Sequence, residues 1–292
     1  MATLRDIKRR INAVSNTKQI TKAMKMVAAA KLRKAQARMI QMRPYAEKMN
    51  SVIAALSGGE GDLHPLLVQR PRRTIELLVL TSDRGLCGAF NSNVLKEAER
   101  TISGWKAENF RVSISVVGRK ARDYFKRRKV EMRNEWTGLS GKLVYSDVRR
   151  IAEDIIENYM NEAIDEVFIV YNQFKTVISQ EVVVAQLVPM APPESEKGGE
   201  GPEEASTVFI YEPSQQAILS QLLPKNIEVQ IYRALLESQA SEEAARMTAM
   251  ENATKNADEM IDSLTLQYNK ARQASITAEL MDIVGGVEAL KG

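Results

Sequence analysis

The chain has 292 residues, 44% of them hydrophobic, enough for one large or two medium cores. A single cysteine, Cys87, excludes an internal disulfide and any cysteine-based zinc cluster, and a single histidine, His64, would have to serve any histidine-dependent catalysis. No run of about eighteen apolar residues exists and no secretory signal opens the chain, so the sequence reads as soluble, with no direct membrane insertion.

Residues 1–43 contain no Gly or Pro and carry twelve Lys and Arg against the single acid Asp6. As one helix they would make a rod of roughly 65 Å. Thr3 followed by Asp6 is a weak capping-box start. Spacings of three and four pick out Leu4, Ile7, Ile11, Val14, Lys18, Thr21, Lys25, Ala28, Leu32, Ala35, Met39 and Met42, a heptad seam interrupted by two lysines. At the interruption Ile20, Ala23, Met24, Met26, Val27, Ala29 and Ala30 make the helix apolar nearly all round, which calls for more than one partner. Pro44 is expected to kink the rod, which resumes through Tyr45, Met49, Val52, Ile53 and Leu56 and stops at Gly58 and Gly59. A basic amphipathic start also resembles a transit peptide, but the pattern continues past any plausible cleavage point and is read as structure.

Between residues 73 and 212 the hydrophobic period changes. Runs at 74–81, 111–117 and 166–171 are β-branched and strand-like, and alternate with helical stretches at 92–105, 119–128 and 146–163. That alternation predicts an α/β layer, Rossmann-like, with a largely parallel sheet. Residues 177–188 and 207–211 read as further strands, and 189–206, rich in Pro, Gly and Glu, as a flexible loop. The first strand runs into SDRGLCGAFN, but neither G-x-x-x-x-G-K-[ST] nor G-x-G-x-x-G is present, so no nucleotide cofactor is predicted. A tight turn leading to a helix and an outward-facing contact loop both remain open for this segment.

Lys225 to Val284 is sixty residues without Gly or Pro, a rod of roughly 90 Å. Met247, Met250, Thr254, Ala257, Ile261, Leu264, Tyr268, Ala271, Ser275 and Ala278 form an unbroken seam of mostly small side chains. Residues 225–292 hold seven bases and eleven acids, so an antiparallel pairing with the basic first rod is predicted. If both rods leave one base, the C-terminal rod projects by several residues. Its end carries Ala271, Ala274, Ile276, Ala278, Leu280, Met281, Ile283 and Val284 on all faces, and something must sleeve it. The organisation is therefore a long antiparallel coiled coil of residues 1–57 and 213–292 with an inserted α/β domain at 73–212.

The stretches NTKQITKAMKMVAAAKLRKAQ (16–36), RPYAEKM (43–49), TSDRGLCGAFN (81–91), SEEAARMTAMENATKNA (241–257) and YNKARQASITAELMDIV (268–284) closely resemble the gamma subunit of the F-type ATP synthase, in the family's order. The resemblance covers both rods and the first strand. Residues 120–210 match only in general pattern. It implies a non-catalytic central stalk, with the coiled coil inside three alpha and three beta subunits and the α/β base on the membrane rotor ring beside the epsilon subunit. It places the chain peripherally, at the cytoplasmic face of a bacterial inner membrane. The same resemblance implies partner contacts for Met24 and for the tip pair Arg272 and Gln273, both toward beta subunits, and a coupling role for Arg246. It implies upper stalk contacts for Arg84, Gly85 and Cys87, and a foot on the ring and epsilon at Tyr211 and Glu212. A cysteine-paired regulatory insert of the chloroplast type is absent from the sequence.

The alternative is a nucleic-acid-binding coiled coil using the basic first helix. That reading wants aromatic or Asn/Gln base readers in the basic helix and a steep loss of affinity with salt, and no aromatic residue occurs before Tyr45. An α/β enzyme with helical arms would need a nucleophile beside a base, whereas His64 and Cys87 sit in separate loops.

Overall fold

The change of hydrophobic period becomes five strands framed by two long helices in the computed structural model, which describes residues 3–57, 64–139, 141, 143–190 and 215–289. In chain order these are α1 (Leu4–Ser57), β1 (Thr74–Leu80), α2 (Phe90–Ala107), β2 (Arg111–Val117), α3 (Arg119–Arg127), β3 (Asn134–Trp136), α4 (Tyr145–Met160), β4 (Glu166–Phe174), β5 (Gln180–Val188) and α5 (Gln215–Ala289). A one-turn 3-10 helix, Pro65–Leu67, lies between α1 and β1. The chain forms two compact units: Met1–Ala29 with Arg246–Gly292, and Ala30–Ala245.

In the larger unit the sheet order is β3-β2-β1-β4-β5. The first four strands are parallel, and β5 returns antiparallel to β4 at the edge. Because side chains alternate along a strand, Leu77 and Val79 of β1 and Ile114 and Val116 of β2 face α2 and α3, where Val94, Leu95, Ala98 and Phe125 cover them. Leu78, Leu80, Val117 and Ile169 point the other way, into a second core formed by Ile151, Ile155 and Tyr159 of α4, Met49, Ile53 and Leu56 of α1, and Leu223, Ile227 and Ile231 of α5. Each fully buried aliphatic chain contributes about 1.5–3 kcal/mol.

That second core carries both long helices past their prolines, and the first ends at Ser57, next to the expected stop at Gly58. Pro44 and Pro224 lie inside α1 and α5, and both helices continue through them. An interior proline costs about 3 kcal/mol, and the burial of Met49, Ile53 and Leu56 beyond Pro44, and of Leu223 and Ile227 around Pro224, offsets it. At its far end α5 also runs on past Val284 through Gly285 and Gly286.

A polar network ties α4 to the sheet. Glu76 of β1, fully buried, accepts from Arg133 Nη2 at 2.7 Å and from Ser115 Oγ, and the same guanidinium donates to Asp154 of α4 at 2.6 Å. Burial works against the Arg133 charge, but Asp154 and Glu76 outweigh it and raise its pKa. β3 went unpredicted because three residues carry no readable period; its place follows from the pairing of Ser115 with Asn134, next to this network. β5 begins at Gln180 rather than 177, since Thr176 and Ser179 close a turn by exchanging hydrogen bonds of 2.9 and 3.0 Å. The predicted strand at 207–211 and all but the first two residues of the predicted loop 189–206 lie outside the described residues.

Candidate partner surfaces

In the smaller unit α1 and α5 run antiparallel along the predicted seam. Ile7, Thr21 and Ala28 are buried with Met250 and Ala257, while Ile11, Val14, Ile261, Leu264 and Tyr268 are half-buried. The start of α1 is a reciprocal cap: Thr3 Oγ1 donates to Asp6 Oδ2 at 2.7 Å and Asp6 N donates to Thr3 Oγ1 at 3.3 Å. The interruption in the seam becomes a polar layer. Thr21 and Thr254 share a hydrogen bond of 2.8 Å, Lys25 pairs with Glu251 at 2.7 Å, and Lys18 pairs with Asp258. Lys18 and Lys25 are thus committed to acids of the same chain, which removes them from the basic face that a nucleic-acid reading requires.

Each step along α1 is matched by an equal step back along α5, so Leu4 falls level with Ala271 or Arg272. Beyond that level α5 has no α1 to lean on. Every residue from Ile276 to Val287 is exposed, among them Met281 at 67%, Ile283 at 64% and Val284 at 60%. Arg272 and Gln273 are exposed at the start of this bare stretch. Ile20, Met26 and Val27 of α1 are more than half exposed as well, with Met24 half-buried beside them. Arg246 is buried. Tyr211 and Glu212 lie outside the described residues.

At the carboxyl ends of β1 and β2 the two crossover turns are laced together. Thr81 Oγ1 accepts from Ala121 N at 2.9 Å, and Asp83 Oδ1 accepts from Arg119 N at 3.0 Å and from Gly138 N at 3.1 Å. Gly118 allows the close approach: its φ is +96°, and a Cβ there would stand 2.2 Å from the Thr81 carbonyl oxygen. The N-terminal amide of α3, where a phosphate would otherwise be cradled, already holds the Asp83 carboxylate.

The SDRGLCG segment proves to be both a tight turn and a presented loop. Arg84 and Leu86 face solvent, Gly85 is partly exposed, and Leu86 sits at φ +63°, a conformation a leucine adopts rarely. Cys87 departs from the outward-facing expectation. It is 1% exposed, and its sulfur accepts from Asn91 Nδ2 at 3.2 Å, while Asn91 Oδ1 accepts from Ser82 N at 3.0 Å. The thiol therefore braces the turn that presents Arg84 and Leu86.

His64 caps the 3-10 turn, its Nδ1 accepting from Leu66 N at 3.2 Å, and burial holds its pKa below the ordinary value. Among the described residues no three of His, Cys, Asp and Glu converge as a metal site needs, and no helix is long and apolar enough to cross a membrane. Among the exposed side chains that escaped the sequence reading, Leu86 and Ile178 stand on turns, the latter 88% exposed between β4 and β5. Only a backbone placing the turns could have singled them out.

The sequence profile of the family described as ATP synthase matches residues 3–290. The chain is 50% identical to the ATP synthase gamma chain of Trichlorobacter lovleyi over 293 residues, and equally to that of Geotalea daltonii, with 100% of each chain covered. Among solved structures it resembles a chain of the Euglena gracilis mitochondrial ATP synthase rotor, with TM-score 0.65, 22% identity and coverage of 94% and 98% of the two chains. It also resembles a chain of the Tetrahymena thermophila mitochondrial ATP synthase central stalk and c-ring, with TM-score 0.58, 26% identity and coverage of 80% and 99%.

Proposed function

The chain belongs to the ATP synthase gamma-chain family, and on that premise we propose that it is the central rotor stalk of an F-type ATP synthase, coupling ion-driven rotation of a membrane ring to ATP synthesis or hydrolysis at beta subunits. Its partners are three alpha and three beta subunits around the coiled coil, the rotor ring and the epsilon subunit. The observation that carries this reading is the bare end of α5, where Ile276 to Val287 are exposed on every face. A helix apolar all round does not stand alone in water. A ring of subunits supplies the sleeve.

The chain itself is non-catalytic in this reading and takes no cofactor, and chemistry is left to the beta subunits. The separate structural duties of His64 and Cys87 support that assignment. The complex is peripheral to the membrane, at the cytoplasmic face of a bacterial inner membrane. Residues 1–57 and 213–292 form the stalk and 73–212 its base. Within the stalk, Met24 and the pair Arg272 and Gln273 meet beta subunits, Arg246 serves coupling, and the Arg84 to Cys87 loop makes an upper contact, with Arg84 and Gly85 touching the partner and Cys87 supporting them. Tyr211 and Glu212 form the foot on the ring and epsilon.

An asymmetric shaft turning inside the ring offers each beta subunit a different face in turn: the exposed Ile20, Met26 and Val27 in one orientation, the α5 face in another. Rotation then exchanges one set of differential contacts for the next, which is what a change of affinity at the catalytic sites requires. Reassembly tests the proposal: alpha and beta subunits with this chain should form a complex of three, three and one that hydrolyses ATP with multisite turnover. Calorimetry should find no micromolar ATP binding to the chain alone. A chain that neither enters such a complex nor raises its turnover would sink the reading.

A further inference from the structure

The helical face of the sheet carries a feature that the stalk assignment does not use. Residues 119–129 read RKARDYFKRRK, and once Ala121 and Phe125 are buried in the core, what remains outward on α3 is almost entirely cationic. α2 adds the exposed Lys96, Arg100 and Lys106. Between the two helices lies a groove of about 450 Å³. Ile114 and Phe125, both buried, close it from below, Val130 is half-buried beside them, and Lys96, Glu99, Arg100, Lys106 and Arg128 stand around it.

The rim is partly built and partly open. Arg128 Nε donates to Glu99 Oε1 at 2.8 Å, and its guanidinium lies 3.7 Å over the Tyr124 ring, so the fork is fixed at the groove mouth before any ligand arrives. Arg100 approaches Glu97 at 3.6 Å. Lys96 and Lys106 have no carboxylate partner among the described residues, although both stand over the same groove. A flat bilayer cannot fill a concave groove. Single-stranded nucleic acid would want stacking aromatics, and Tyr124 is already covered by Arg128.

We propose that the α2–α3 groove docks an acidic protein segment that lies over the half-buried Val130 while its carboxylates take the fixed fork of Arg128 and the open charges of Lys96 and Lys106. Charge complementarity and the groove's shape select this occupant. In the assembly the occupant is a segment of a neighbouring subunit, a clause that rests on the stalk reading; the chemistry of the groove does not. The docked segment would hold α2 and α3 together from outside and give the base a fixed contact.

A photo-crosslinking residue in place of Ser103, an exposed groove position, tests this in two arms. With the full chain alone, a synthetic peptide alternating glutamate with leucine should crosslink and a lysine–leucine peptide should not. Lys96→Glu with Lys106→Glu should lower the yield by roughly tenfold, as should salt of about 0.5 M, at unchanged helix content. In the purified assembly the crosslink should map to an acid-rich stretch of a partner subunit and fall in the same way with the double reversal. Equal labelling by both peptides, indifference to the reversal, or a crosslink in the assembly to phospholipid or to a segment without acids overturns the proposal. If no assembly forms, the stalk reading fails and the peptide arm still decides the groove.

Discussion

Two stretches of the same helix, α5, are similarly apolar and have opposite fates. From Leu223 to Ala244 it is buried on nearly every side, against the sheet layer and α1, with Ile227, Ile231, Ala240 and Ala244 fully enclosed. From Ile276 to Val287 no side chain is enclosed at all. Apolar composition therefore does not decide burial; the supply of covering surface within the chain does. Where the chain provides that surface, hydrophobic residues stabilise its fold. Where it does not, they are surface held for another subunit.

The contrast can be broken most forcefully by removing the same side chain from both stretches. Ile227→Ala should cost about 2–5 kcal/mol in urea unfolding, since it deletes a fully buried chain and leaves a cavity. Ile283→Ala should change the stability of the free chain by no more than about 0.5 kcal/mol. Equal losses at the two sites would mean that the bare end is covered after all. Adding bulk sharpens the same point. Ala240→Leu, where Leu32 and Ala35 approach closely, should cost about 1–3 kcal/mol through overpacking, whereas Ala278→Leu on the exposed end should be tolerated in thermal melts.

The tip pair asks whether the bare end does more than fill its sleeve. Arg272→Ala with Gln273→Ala should leave the helix content intact by circular dichroism, because neither residue lies on the seam. Turnover of the reassembled complex at saturating ATP should fall by roughly tenfold, the loss of about one charge-assisted hydrogen bond. Wild-type turnover would reduce the pair to filler.

The smallest effect lies away from both stretches, at His64. Burial lowers its folded pKa, and Nδ1 must stay unprotonated to accept from Leu66 N. Its contribution to stability is therefore complete above the unfolded value near 6.5 and is lost as pH falls through the lower folded value. The urea midpoint should be flat above that range and decline modestly below it, and His64→Gln should remove this part of the decline.

Much of this organisation was legible because it is periodic. The seam positions from Leu4 to Met42 are all buried or half-buried, since a spacing of three and four admits only one inward face. β1, β2 and the helices between the strands also fell near their predicted limits. The long-range terms were hidden. Cys87 and Arg84 are neighbours in one motif, yet one turns inward to Asn91 and the other outward, a choice made by the turn. The basic run of α3 was visible as composition, but its groove exists only once α2 lies alongside.

The most direct test is the reactivity of one cysteine placed in the bare stretch. Cys87, the single native cysteine, is buried, so Ile283→Cys in a Cys87→Ser background gives one reporting thiol. Maleimide should label it rapidly in the free chain, and the rate should fall by at least roughly a hundredfold once alpha and beta subunits have assembled around it, because a sleeved thiol is reached only through rare opening. Equal labelling rates in the free and assembled chain would contradict the sleeve, and with it the assignment of this helix end as the tip of a central stalk.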